Sequence, residues 1–402
     1  LHGEYLKPFS ELLAHLKILF LQCLAMASPL VMSMIDIHRP MNCRYLLIFL
    51  LLSFAIGCTT QRMELVRVSA DNKSFVLAPS SQPFIPWGHN YAVNQPADGE
   101  KFDWPRIAHD FDDFHKMRAN VARIHLQVPD FMDAPDKPNA HALAELSRLL
   151  KLAEQKGVYL DVTGLASYNI KHRAGWYDAL ADKDRWAAQA CFWEAVSKTC
   201  AKNSAVFCYD LMNEPVAGGQ RKGGWYTGRM GDYEFVQHLS LDQGNRPQSE
   251  IAKEWTGIMV AAIRKHDRDH LITIGMLPAW GPSPKIVGPD LDFIAVHIYP
   301  SSGKVDASLK NLKQFDIGKP IVVEETFPLS CGVADERDFL LRSRGIAAGW
   351  IGQYPSETPD QLLALQRSGK ITLGQAAYLS WIELFREVGP TMLTPVKSSA
   401  KQ

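Results

Sequence analysis

From residue 83 onward, short apolar runs return along the chain with amphipathic stretches between them. Runs at 83–88 (PFIPWG), 120–127 (NVARIHLQ), 157–163 (GVYLDVT), 205–212 (AVFCYDLM), 270–276 (HLITIGM), 292–299 (DFIAVHIY), 319–325 (KPIVVEE) and 344–350 (RGIAAGW) read as eight strands. Most are near-continuously apolar rather than alternating, as parallel strands covered on both faces require. Between them, HALAELSRLLKLAEQKG sets Leu143, Leu146, Leu150 and Ala153 at helical steps, with Gly157 as the stop. Eight such units predict an α/β fold, a (β/α)8 TIM barrel, forming a single catalytic domain with loop insertions over 71–395. An open doubly wound sheet is the competing fold. No G-x-G-x-x-G follows any strand, so a dinucleotide role for such a sheet has no support. The Gly-, Arg- and aromatic-rich stretch 216–247 reads as a long irregular loop, expected to wall a cleft.

The start of the chain follows a different pattern. Arg44 precedes an uncharged run of 13 residues, 45–57. That length suits a signal-peptide core and falls short of the ~20 residues a membrane-spanning helix needs. Ala55-Ile56-Gly57-Cys58 resembles a bacterial lipobox, which implies a signal peptide over 41–57 and a lipidated Cys58 opening a lead-in, 58–70. Under the bacterial sorting rule, Thr59 after the cysteine favours the outer membrane over other sites in the cell envelope. Residues 1–40 precede a complete signal beginning at Met41 and read as an over-called start. Their rival reading is a membrane helix over the apolar run 18–35.

Charge and cysteines narrow the function classes. Forty-three basic and 43 acidic residues cancel, giving no reason to expect a nucleic acid or an anionic surface as partner. The seven cysteines show no metal-ligand spacing; Cys191, Cys200 and Cys208 could offer a disulfide in an oxidising compartment, with Cys331 further on.

In a parallel barrel all strand C-termini open on one face, so polar residues ending different strands converge there. Asn213 and Glu214 end strand 4, with Pro215 disfavouring a helical turn and expected to keep Glu214 extended to the rim. Arg123 lies in strand 2, His89 and Asn90 follow strand 1, His297 and Tyr299 end strand 6, and Glu324 and Glu325 end strand 7. Two carboxylates from different strands on one rim are what glycoside hydrolysis needs. Neighbouring residues of a strand face opposite sides, so only one of Glu324 and Glu325 is expected to point inward. Trp176, Trp225 and Trp280 follow strands and could offer flat apolar platforms.

On Gly88-His89-Asn90, Asn120-Val121-Ala122-Arg123, Asn213-Glu214-Pro215, His297-Ile298-Tyr299 and Lys319-Pro320-Ile321-Val322-Val323-Glu324-Glu325, the chain resembles glycoside hydrolase family 5 over roughly residues 65–385. This is the cellulase and β-mannanase family of retaining barrel glycosidases. The resemblance implies a β-linked glucan or mannan substrate, Glu214 as acid/base and Glu325 as nucleophile, with Glu324 the alternative. It further implies that Asn213 bonds the sugar 2-hydroxyl, that Arg123 and Tyr299 hold the nucleophile ionised, and that His297 supports the acid. Trp350 or Tyr354 would stand for the family's tryptophan under the reactive sugar, and Thr163 departs from a common histidine. No cofactor and no metal are implied, and the chain is expected to act as a monomer, meeting the membrane only through its lipid. A binding-only barrel that has lost catalysis is the alternative. A metal-dependent hydrolase lacks the expected H-x-H or H-x-x-E-H spacing.

Overall fold

The computed structural model describes residues 63–92, 102–218 and 224–396. The signal-like segment, Cys58 and residues 1–40 lie outside the described residues. Among those described, no helix is long and apolar enough to cross a membrane.

Eight parallel strands close into a barrel: β1 (Trp87–Asn90), β2 (Val121–Gln127), β3 (Tyr159–Ala166), β4 (Val206–Asn213), β5 (Leu271–Met276), β6 (Ile294–His297), β7 (Ile321–Glu325) and β8 (Gly349–Gln353). Around it lie α1 (Trp104–Lys116), α2 (Ala140–Lys156), α3 (Asp182–Cys200), α4 (Gln248–Arg264), α5 (Val305–Lys313), α6 (Val333–Ser343), α7 (Pro359–Arg367) and α8 (Leu373–Met392). This is the (β/α)8 architecture that the recurring apolar runs predict. Helix α2 forms as its sequence dictates: Asn139 caps it through the Ala142 amide, and Gly157 closes it at φ 64°. Leu146, Leu149, Leu150 and Ala153 are buried, whereas Leu143 is only partly so.

One end of the barrel is plugged. Leu65–Val68, Phe75–Ala78 and Pro83–Phe84 form a small antiparallel sheet, so the expected lead-in already contains structure. Phe75 packs edge-on against Phe207 and Phe293, and Phe84 against Tyr159, filling the lower barrel with rings. Only the opposite, C-terminal mouth is left for chemistry.

The first and last strands differ from the predicted runs. Pro83–Phe84 belongs to the plug, and the barrel strand begins at Trp87. At the other end α6 runs to Ser343, and residues 344–348 are turn, with the Ile346 and Ala347 amides bonded to the Ser343 carbonyl. The strand therefore starts at Gly349. Apolar runs alone do not separate a buried turn from a strand. The four cysteines among the described residues are free thiols, with Cys200 and Cys208 buried.

Helix α6 carries a carboxyl whose burial makes a measurable difference. Glu336 accepts a 2.6 Å hydrogen bond from Thr326, and its desolvation pushes it from an ordinary 4.5 up to about 7. The folded state thus holds this proton more tightly than the unfolded chain. Its contribution is fully present below pH 4.5 and is lost as pH rises toward 7, roughly 3 kcal/mol in all. Glu336→Gln is expected to raise the melting temperature at pH 8 and leave it nearly unchanged at pH 4.5, which thermal melts at the two pH values would check.

Candidate active site

Above the aromatic plug the barrel interior turns from apolar to charged, and Arg123 is its centre. The side chain projects inward from β2 and is wholly buried. Its Nη1 donates to Asn90 Oδ1 and Glu325 Oε1, each at 2.7 Å. Its Nη2 donates to Asp210 Oδ2 at 2.7 Å and Asn213 Oδ1 at 2.9 Å, and lies 3.5 Å from Glu324 Oε2. One guanidinium thus ties together β1, β2, β4 and β7, using the planar fork that lysine lacks.

Glu325 sits at the rim, its side chain 13% exposed. Besides Arg123 it accepts a 2.5 Å hydrogen bond from the Tyr299 hydroxyl. Burial would raise its carboxyl, but the charges of His297 and Arg123 and the Tyr299 hydrogen bond hold it down at about 2. Gln353, ending β8, donates to the Tyr299 oxygen at 3.0 Å and so turns that hydroxyl toward Glu325.

Glu214 faces it from the end of β4. Its Oε1 lies 2.9 Å from His297 Nδ1, and its amide donates to the Gly275 carbonyl at 2.8 Å. The expected extended backbone is not what forms: Glu214 has φ 47°, the left-handed region. Pro215 bars the right-handed helical conformation without dictating the extended one, and the bond to Gly275 fixes the result. Such a conformation in a residue other than glycine costs on the order of 1–3 kcal/mol and is commonest at functional sites. One carboxylate oxygen each of Glu214 and Glu325 and a nitrogen of His297 lie within 4.8 Å of one another.

Glu324 corrects the alternation argument. Both strand-7 glutamates point inward, because the register between β6 and β7 shifts from Val296↔Val323 to His297↔Glu325. Glu324 is the extra residue of this irregularity, which re-aims its side chain into the barrel. It is wholly buried, 3.3 Å from His297 Nε2. Below it Asp161 is pushed well above the usual carboxylate range by burial and the Glu324 charge, so it keeps its proton. Thr163, standing where the family commonly has a histidine, donates to Asp210 Oδ2 at 2.9 Å.

The structure adds His125, Gln127, Tyr168, Asp210 and Gln353 to the set. His125 bonds the Tyr168 hydroxyl at 2.9 Å and approaches Asn90 Oδ1 at 3.3 Å, and burial pushes it far toward neutrality. Its signal was present in the sequence, since Arg123, His125 and Gln127 alternate onto one face of β2. Tyr168 and Gln353 had no comparable signal, being placed by a loop and a misjudged strand end.

Several expected residues are not brought to this cluster. His89, a neighbour of inward-facing Asn90, points outward and packs between Phe385 and Phe114. Trp350 is the second residue of β8 instead of its rim, also faces outward, and donates to Ser343 of α6. Trp280 stands 75% exposed on the loop after β5. Tyr354 bonds Asp110 of α1, leaving Gln353 where an aromatic ring was expected. Trp225 is buried beneath the Arg185 guanidinium, and Trp176 packs against Tyr177.

The described part of the stretch after Pro215 contains regular structure. Tyr226–Met230 and Tyr233–His238 form a hairpin turning at Gly231, φ 63°, and Pro215–Val216 pairs alongside it. The Phe235 carbonyl accepts from Asn213 Nδ2 at 3.1 Å, joining the hairpin to the site. Tyr233 and Phe235 stack on one face, centroids 6.0 Å apart and planes within 9°.

Comparison with known proteins bears on this geometry. A family model described as cellulase (glycosyl hydrolase family 5) matches residues 81–320. A search of curated proteins finds no match. Among solved structures, the chain is similar to the exo-β-1,4-mannosidase Op5Man5 from Opitutaceae bacterium strain TAV5, at TM-score 0.58 and 17% identity, covering 81% of this chain and 63% of that one. It is similar to the endo-1,4-β-mannanase from Rhizomucor miehei, at TM-score 0.54 and 17% identity, covering 80% and 99%. The endo-1,4-β-mannanase from Eisenia fetida follows at TM-score 0.53 and 15% identity, covering 73% and 91%. At such identities the structural likeness is one of fold.

Proposed function

The chain belongs to glycosyl hydrolase family 5, the cellulase family; from that premise we propose that it is a glycosidase cleaving β-linked glucan or mannan with retention of configuration. Glu325 is the nucleophile and Glu214 the acid/base. The observation that carries this reading is the close approach of the two carboxylates, with oxygens within 4.8 Å. Retaining enzymes hold their pair about 5–5.5 Å apart, and inverting ones leave about 6.5–9.5 Å for a water.

In the first step a Glu325 oxygen bonds to the anomeric carbon as the glycosidic C–O bond breaks, and Glu214 passes its proton to the departing oxygen. In the second, Glu214 takes a proton from water, the water oxygen bonds to the same carbon, and Glu325 leaves. Arg123 and Tyr299 keep Glu325 ionised between turnovers. Asn213, fixed by Arg123 and the Phe235 carbonyl, is placed to bond the sugar 2-hydroxyl. With Gln353 in place of an aromatic ring, the reactive sugar rests on a hydrogen-bonding floor.

The deciding experiment is sugar release by purified 59–402 from mannan, glucan and xylan, with the product anomer followed by NMR. β-Mannan comes first in the panel because the similar structures bear mannan-active names. Product first appearing as the β-anomer, and lost in Glu214→Gln, supports the reading; an initial α-product would replace it with inversion. No release, with glycan binding intact, would favour a binding-only barrel. The ring pair on the hairpin is a platform for a further sugar. Tyr233→Ala is therefore expected to lower kcat/KM on polymer severalfold while leaving a small aryl glycoside nearly unaffected. Export and lipid anchoring at Cys58 complete the proposal, and palmitate labelling of the full chain beside Cys58→Ala would test them.

A further inference from the structure

Double displacement leaves Glu324 without a task. A carboxylate this deeply buried is costly unless it is paired and hydrogen-bonded. Its Oε2 lies 3.3 Å from His297 Nε2 and 3.5 Å from Arg123 Nη2. The other nitrogen of the same imidazole, Nδ1, lies 2.9 Å from Glu214 Oε1 and 3.5 Å from Glu325 Oε2. His297, itself 1% exposed, thus has carboxylate oxygen at both nitrogens. Ionised Glu324 only accepts, so Nε2 carries a proton, and Nδ1 carries a second wherever Glu214 presents Oε1 as an acceptor.

The fold makes room for this arrangement. The irregular register of β7 turns Glu324 inward, and β5 passes the pair with Gly275. A Cβ there would stand 2.8 Å from both Glu324 Oε2 and His297 Nε2. The groups facing His297 come from every side: Glu214 at the end of β4, Glu324 and Glu325 from β7, and Arg123 and His125 from β2. Burial and the Arg123 charge oppose a cation at His297. The Glu325 charge and the bonds to Glu214 and Glu324 outweigh them and lift the imidazole to about 10. Glu324 in turn is held ionised, because Arg123 and His297 overcome the burial that would protonate it.

We propose that Glu324 is a positioning residue that keeps His297 doubly protonated, so that Nδ1–H is a fixed donor to Glu214 Oε1 and the catalytic proton is confined to Oε2. The proposal rests on Glu214 being the acid/base. It gives the two oxygens of Glu214 separate duties: Oε1 accepts from His297 throughout, while Oε2 gives its proton to the leaving oxygen and later takes one from water. His297 stays a cation through both steps and gains or loses no proton.

The test is ¹⁵N NMR of the histidines across pH 5–10 in the wild-type protein, with His297→Asn to assign the signal, and again in Glu324→Gln. Expected is an imidazolium that persists past pH 9 in the wild type and loses its proton at least two pH units lower in the variant. The alkaline limb of kcat/KM on an activated aryl glycoside should move down with it, while kcat at pH 6 falls less than tenfold. A merely structural Glu324 would lower stability without moving either midpoint, and unchanged midpoints overturn the proposal. So does a wild-type His297 carrying one proton at pH 7, an outcome that needs no variant. If Glu324→Gln does not fold, Gly275→Ala, which wedges the same pair apart, should lower the His297 midpoint, and an unmoved midpoint overturns the proposal. The spectra need no substrate, so a failure of the glycosidase reading would show in the sugar-release assay and leave the NMR result standing by itself.

Discussion

Glu325→Gln is expected to lower kcat by about 10⁴-fold or more, since in the proposed double displacement removing the nucleophile removes the covalent intermediate along with it. The amide keeps the carboxylate's shape: its one oxygen can still accept from Arg123 while its NH2 faces the Tyr299 oxygen, so the fold should persist. Circular dichroism alongside the assay separates lost chemistry from lost structure. The sharper version is Glu325→Ala supplied with azide. The small anion enters the space of the missing carboxylate and attacks from the same face, giving a product of inverted configuration. Glu214→Ala with azide should instead yield the retained product, because there the anion replaces water in the second step. A Glu325→Gln variant within tenfold of wild type, beside a dead Glu324→Gln, would transfer the nucleophile's role to Glu324.

Arg123→Met should be the most destabilising single change in the barrel. It would leave Asp210, Glu324 and Glu325 facing one another in the interior without their shared cation. Breaking a buried ion pair from one side costs about 3–5 kcal/mol, a large share of a typical folding free energy of about 5–15 kcal/mol. Loss of soluble protein, or a strongly lowered melting temperature, is the expected result. The sign of its pH dependence follows from linkage. In the wild type, Glu325, depressed to about 2, contributes stability that is present above pH 4.5 and lost as pH falls toward 2. Without Arg123 that contribution shrinks, so the gap between variant and wild type should narrow as pH drops below 4.5. Arg123→Lys keeps the charge but loses the fork, and should fall between the two. A melting temperature for Arg123→Met equal to wild type at pH 7 would mean that the carboxylates are neutral there and that the interior holds no charge cluster.

Much of this was legible in the linear chain, and the reasons lie in particular residues. The runs AVFCYDLM and HLITIGM are too uniformly apolar for a strand with a wet face, which pointed to parallel pairing, and eight such units pointed to a barrel. Parallel closure then forced Asn213-Glu214, His297 and Glu325 onto one mouth whatever the loops did. Alternation carried Arg123 inward, and with it His125 and Gln127.

What the sequence by itself determined, then, is the fold class, the mouth that holds the chemistry, and the residues that strand ends deliver to it. Period and polarity are local properties, readable one segment at a time. Tertiary structure decided the rest, because it depends on partners far along the chain. Pairing between β6 and β7 sent both Glu324 and Glu325 inward, against a two-residue period that holds only in an unbroken ladder. A hydrogen bond to Gly275 set the backbone of Glu214. The end of α6 moved β8 forward by several residues, turning Trp350 into the helix layer and leaving Gln353 at the mouth. The distance between two carboxylates on strands 4 and 7 is set by closure of the whole ring, and no local pattern records it.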